Sequence, residues 1–177
     1  MPELKRYNTA MVILHWLLAI FISGAIFMGA VVLDDMDSAH PQKILLLKLH
    51  IVVGAGILLF TLLRLILRFT TPQPAALVGN NSLVDRLATG MHYLLYLLTI
   101  ATALAGLALA ISADLPAVLL NFTGELPKDY EDFIAHEVHG IFANLLLITI
   151  LLHSAAALYH QFILKDGLLS RMSLRKD

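Results

Sequence analysis

Four long apolar blocks, parted by polar stretches, make up most of the chain. They run from about Ala10 to Leu33, Ile44 to Phe69, Leu87 to Ile111 and Val138 to Leu164. Each reaches the ~20 residues that a spanning helix needs. None shows the period-two alternation of a membrane strand. Irregular backbone cannot face lipid, so helices are the economical reading. Asp129 to Glu137 should extend the fourth helix outward by a turn or two.

The connections carry loop residues. Asp34–Lys43 and Thr70–Arg86 contain Pro, Gly, Asn and Asp, and Pro72 and Pro74 should stop the second helix. The longest connection, Ser112 to Lys128, reads as a loop with Pro116, Gly124 and Pro127. The first block follows Lys5 and Arg6, as a signal peptide would. It is longer than the ~7–15 residues of a signal h-region, so it reads as an anchor retained in the mature protein. The expectation is a single all-α domain over residues 1–177, an integral membrane up-down four-helix bundle.

Composition agrees. Of 177 residues, 59% are hydrophobic and 14% charged, with a mean hydropathy of +0.81. Ordinary soluble domains hold about 45–50% apolar and roughly 25% charged residues. With no cysteine, disulfides, iron–sulfur clusters and covalent c-type haem are excluded.

The net charge of −1 becomes informative when divided between the two sides. One side holds Lys5, Arg6, Arg64, Arg68, Arg86, Lys165, Arg171, Arg175 and Lys176; the other holds Lys43, Lys48 and Lys128. Nine against three predicts both termini in the cytoplasm. The opposite face carries nine acids: Asp34, Asp35, Asp37, Asp114, Glu125, Asp129, Glu131, Asp132 and Glu137.

Eight histidines in so apolar a chain demand an explanation. On an up-down bundle His15 and His153 share a depth near the cytoplasm, and His50 and His139 share one near the far face. His139 and His153 lie 14 positions apart, two heptads, on one helix. At 3.6 residues per turn they diverge by only ~40° and stand ~21 Å apart along the axis. Two cross-helix pairs are what two bis-imidazole haems require. Four residues after each histidine comes a small one, Ala19, Gly54, Ala143 or Ala157, a same-face neighbour that leaves room for a flat macrocycle. The small ridge Thr102, Gly106 and Ala110 on the third helix reads as helix packing.

His136, about 100° off the face of His153, is the alternative far-side ligand. His92 competes with His15, or serves a propionate or neighbouring role. His40 lies in a loop and reads as solvated. His136-Glu137-Val138-His139 is not the zinc-protease H-E-x-x-H, since the second histidine comes one position early. No serine-hydrolase set, Walker loop or dinucleotide fingerprint stands out, and no basic stripe suggests nucleic acid.

The whole chain resembles the bacterial cytochrome b561 family. The matching pieces are His15-Trp16, then His50 with Gly54 and Arg64-Leu65-Ile66-Leu67-Arg68, then Met91-His92 and Tyr96-Leu97-Leu98. His139, Ala143-Asn144, His153-Ser154-Ala155-Ala156-Ala157, His160 and the tail Lys165–Met172 complete the match. One departure is Gly140, where the family carries Glu. The resemblance implies two haems b, with His15, His50, His139 and His153 as axial ligands, in a protein of the bacterial inner membrane. It further implies electron transfer to a quinone, ubiquinone, near the cytoplasmic haem, with superoxide as the donor at the far face. His160, Arg64 and His92 are candidates for the quinone or the propionates, and Arg68 for a propionate.

Superoxide is an anion and positive potential would steer it; only Lys43, Lys48 and His40 could form a basic entry near His50. Two other readings remain open. One is a haem subunit docked to a hydrogenase or dehydrogenase, with the acidic face as docking surface. The other is a haem-free membrane scaffold or small transporter.

Overall fold

A computed structural model of the chain describes residues 6–74, 82–121, 126–127 and 129–174. Lys5, Gly124, Glu125, Lys128, Arg175 and Lys176 therefore lie outside the described residues. The described residues form no strand. Five α-helices follow one another: α1 (Thr9–Phe27), α2 (Lys43–Thr70), α3 (Ser82–Ser112), α4 (Leu115–Asn121) and α5 (Ile134–Tyr159). α1 continues as a π-helical stretch, Met28–Leu33, and α5 as another, His160–Leu164. A 3₁₀ turn, Leu168–Met172, is the last element among the described residues.

Four of these helices, with their extensions, are long and apolar enough to cross a membrane. Their outer faces carry Ile20, Val52, Leu59, Ile66, Leu97 and Leu151, all exposed in the isolated chain. In a bilayer that surface meets lipid, which satisfies it as a protein core would. Inward positions are few and compact, among them Leu18, Ile57, Ala105 and Leu146. Two buried threonines satisfy their hydroxyls on their own helices: Thr99 donates to the Leu95 carbonyl and Thr149 to the Leu145 carbonyl, each at 2.7 Å, whereas the buried Thr61 hydroxyl of α2 has no hydrogen-bond partner.

α3 packs most extensively on α5, α1 on α2, and α2 on α3. Among the described residues α5 makes no comparable backbone approach to α1 or α2. Side chains must fill the space between α5 and those two helices.

The helix bounds differ from the sequence expectation at three places. α3 begins five residues before Leu87, and α5 begins at Ile134, so only part of the 129–137 segment is helical. The connection after Ser112, expected from its Pro and Gly residues to be a loop, holds α4. Pro116 stands in the first turn of α4, where no backbone donor is required. α4 lays Leu115 and Leu119 against Ala110, Ala113 and Leu47, closing the far end of α2 and α3.

Both ends of the described chain meet at one end of the bundle. The Asn8 side chain caps α1 by accepting from the Ala10 amide at 2.8 Å. The Tyr7 amide donates to the Arg171 carbonyl at 3.3 Å, and the Trp16 indole donates to the Met172 carbonyl at 2.9 Å. The tail reaches this position by reversing after α5, with Lys165 and Gly167 both left-handed.

Candidate functional site

Histidines populate the gap between α5 and its two distant partners. His15 on α1 faces His153 on α5, ring centroids 6.3 Å apart and planes 76° apart. His50 on α2 faces His139 on α5, at 6.1 Å and 80°. A metal–imidazole bond of about 2.0 Å on each side, with roughly 1.1 Å from nitrogen to ring centre, sets bis-imidazole centroids about 6.2 Å apart. Both pairs stand at that spacing, so either could hold one metal ion between its rings. Among the described residues no group of three metal-ligating side chains occurs, so a smaller polydentate cage is not on offer.

The far pair is seated by helix backbone. His139 Nδ1 lies 2.9 Å from the Thr102 carbonyl of α3. A carbonyl only accepts, so Nδ1 carries the proton and Nε2 is left with its lone pair, the state of a metal ligand. Gly106, one turn on, lies against the same ring. Thr102 and Gly106, expected on a packing ridge, also seat a histidine. The four-residue interval from threonine to glycine was visible in the sequence, but the ring it faces comes from another helix. His50 rests against Gly29, in the π-helical stretch of α1, and its buried Nδ1 has no hydrogen-bond partner. A cavity of about 210 Å³ opens beside it, lined by Ile20, Phe21, Gly24 and Ala25 of α1, Met28 of its π-helical extension, and His50 and Val53 of α2. A Cβ added at Gly54, four residues after His50, would meet nothing within 4 Å.

His136 turns to Tyr130 instead, with centroids 6.2 Å apart. Tyr130 lies outside the spanning helices, and burial pushes its phenol up from the ordinary value. His92 approaches His153 to 5.4 Å, closer than a metal between two rings allows. It hydrogen-bonds to the backbone of Ala88 within its own helix.

Arginine and tyrosine alternate between α2 and α3 near the first histidine pair. The Arg64 guanidinium lies 5.5 Å from the Tyr96 ring centre, and Arg68 lies 5.3 Å from that of Tyr93. Arg64 Nε and the Tyr96 hydroxyl are both buried without a hydrogen-bond partner. Buried polar atoms of this kind fit an acidic group that completes them. At the end of α5, His160 Nδ1 lies 2.5 Å from Asp166 Oδ2, while Asp166 Oδ1 accepts from the Leu168 amide. That contact with His160 holds the Asp166 carboxyl below the usual carboxylate range.

At the opposite end the acids Asp34, Asp35, Asp37, Asp114, Asp129, Glu131, Asp132 and Glu137 are exposed. Lys43 is not. It is 5% exposed, and its ammonium donates to the carbonyls of Leu33 at 2.5 Å and Met36 at 2.6 Å. The expected basic entry near His50 therefore loses Lys43, because the end of α1 needs a donor for its orphan carbonyls. His40 is exposed and its Nδ1 accepts from the Gln42 amide.

The family profile described as prokaryotic cytochrome b561 matches residues 6–173. Among curated relatives, a cytochrome b562 of Cereibacter sphaeroides is 28% identical over 97% of this chain and 98% of its own. Cytochrome b561 homolog 1 of Escherichia coli K12 is 27% identical, covering 98% and 99%. A probable superoxide oxidase, CybB, of Yersinia pestis is 25% identical, covering 97% and 98%. The chain thus belongs to the prokaryotic cytochrome b561 family, as a multi-pass protein of the bacterial inner membrane that uses haem b to transfer electrons.

Proposed function

We propose that the protein binds two haems b, one between His15 and His153 and one between His50 and His139, and passes electrons through them from a donor at the far face to a quinone at the cytoplasmic face. The observation that carries this reading is the pair of ring separations, 6.3 and 6.1 Å. Bound haem iron supplies one-electron redox chemistry at both depths. The chain supplies four imidazoles, two of them ~21 Å apart along α5. It orients His139 through the Thr102 carbonyl, and Arg64 and Arg68 offer positive charge to propionates.

The excess of Lys and Arg on the side of the termini puts that end in the cytoplasm. There ubiquinone is the acceptor, within reach of His160, Arg64 or His92. His160 has one ring nitrogen engaged by Asp166; as an imidazolium it would give the proton of its other nitrogen to a quinone oxygen, with Asp166 holding the charged ring. Superoxide is the proposed donor, in keeping with the Yersinia relative's name as a probable superoxide oxidase. Two superoxide ions give two electrons, which with two protons convert quinone to quinol.

The exposed acids at the far end, and the withdrawal of Lys43, favour a second donor: a basic patch on a hydrogenase or dehydrogenase subunit. Co-purification of a large redox partner supports that donor over superoxide.

A reduced-minus-oxidised spectrum with a pyridine haemochrome assay tests the cofactor. About two haems per chain are expected, with one lost in His153→Ala and the other in His50→Ala. A folded, haem-supplemented preparation without haem would leave a histidine-rich scaffold. Superoxide-dependent reduction of ubiquinone then tests the donor and acceptor.

A further inference from the structure

Side chains on a helix lean toward its N-terminus, so the residue at i+4 covers the carbonyl at i. The Thr102 carbonyl is already the helical acceptor for the Gly106 amide. It can take a second hydrogen bond only if a donor reaches its outer lone pair. Glycine at 106 leaves that approach open, and His139 Nδ1 uses it at 2.9 Å. A Cβ built on Gly106 would stand 2.9 Å from His139 Cε1 and 3.0 Å from Nδ1. These are the ring atoms at and beside the donating nitrogen. Contacts so short force the ring off the carbonyl. Gly29 meets His50 less tightly, at 3.3 Å, and His50 Nδ1 has no acceptor.

We infer that Gly106 is a positioning residue for the far haem: by baring the Thr102 carbonyl it fixes the tautomer and aim of His139. The inference rests on His139 being an axial ligand. The consequence is an unequal pair of imidazoles at that haem. A ligand that donates to a carbonyl is the more basic one and favours the oxidised metal. His139 is thus the stronger donor and His50 the weaker.

Gly106→Ala is the variant to make, in the full-length protein in detergent, beside His139→Ala, the double variant and Gly56→Ala. A Cβ at Gly56 meets nothing within 4 Å, so that last variant controls for a glycine lost from a spanning helix. Expected for Gly106→Ala is loss of one of the two haems. Where both haems remain, one potential rises and one low-spin electron paramagnetic resonance signal changes, the other haem keeping both properties. Gly56→Ala leaves haem content, potentials and signals as they are. The double variant accumulates as well as His139→Ala, since the ring that the new methyl strikes is gone. Two retained haems with unchanged potentials and signals in Gly106→Ala would overturn the inference while leaving His139 a ligand. A double variant that accumulates worse than His139→Ala would also overturn it, since the glycine would then serve helix packing alone. Retention of both haems by His139→Ala would remove the ligand reading and the inference together.

Discussion

His15 and His153 meet edge to face, their ring planes 76° apart, and His50 and His139 repeat the arrangement at 80°. Perpendicular imidazoles leave the iron d-orbitals nearly degenerate. Both haems should then give highly anisotropic low-spin resonance signals with a large principal g-value. Electron paramagnetic resonance of the oxidised protein checks this, and two rhombic signals of parallel-ring type would contradict it.

Arg64 should tune one haem and spare the other. Its unpartnered Nε sits beside the His15–His153 pair, and its guanidinium is stacked on Tyr96. Removing a positive charge there disfavours the reduced metal. Arg64→Gln should lower the cytoplasmic-side potential by on the order of 1–2 kcal/mol, or roughly 40–90 mV for one electron. The far haem should stay within the error of a redox titration. Arg64→Lys should recover only part of the shift, because an ammonium does not reproduce the planar fork or the stacking.

Lys43 should matter for stability. Its ammonium satisfies the Leu33 carbonyl at the end of the first spanning helix and the Met36 carbonyl just beyond it, and lies 5.9 Å from the Tyr130 ring centre. Lys43→Met keeps the bulk and removes the donors. The expected cost is about 2–4 kcal/mol from carbonyls left short of partners, read as a lower melting temperature in detergent. A variant as stable as the parent would show that water replaces the ammonium at no cost.

The carboxyl of Asp166 gives the tail a pH dependence. Its folded pKa lies below the ordinary 3.8 because it contacts His160. A carboxylate with a lowered folded pKa contributes stability above its unfolded pKa and loses it as pH falls through the folded value. The tail clasp should therefore persist at pH 4–5, where ordinary carboxylates begin to protonate, and open only below about pH 3.8. Limited proteolysis of the C-terminal segment by an acid-active protease reads the opening. Asp166→Asn should expose the segment already at neutral pH.

The bundle itself was legible in the residues. Four apolar runs longer than a bilayer is thick leave little choice but helices, and two heptads between His139 and His153 place both on one face of α5. α4 was not legible, because a seven-residue helix opening on a leucine and a proline carries too little periodicity to tell from a loop. Depth along the membrane follows from position in the chain, so sequence position alone matches His15 with His153 and His50 with His139.

What needed the tertiary structure was direction around each helix and contact between helices. The turning of His136 to Tyr130 and of His139 to His50 depends on how α5 is rotated against α2. Only packing spends Lys43 on the carbonyls of α1, although its sequence position suggests a surface charge. The sequence alone determined a membrane bundle with histidines at two depths, because hydrophobic length and helical period are local properties of a chain. The tertiary structure decided that Gly106 and the Thr102 carbonyl hold His139, because a hydrogen bond between α3 and α5 joins residues 37 positions apart and no local pattern encodes it.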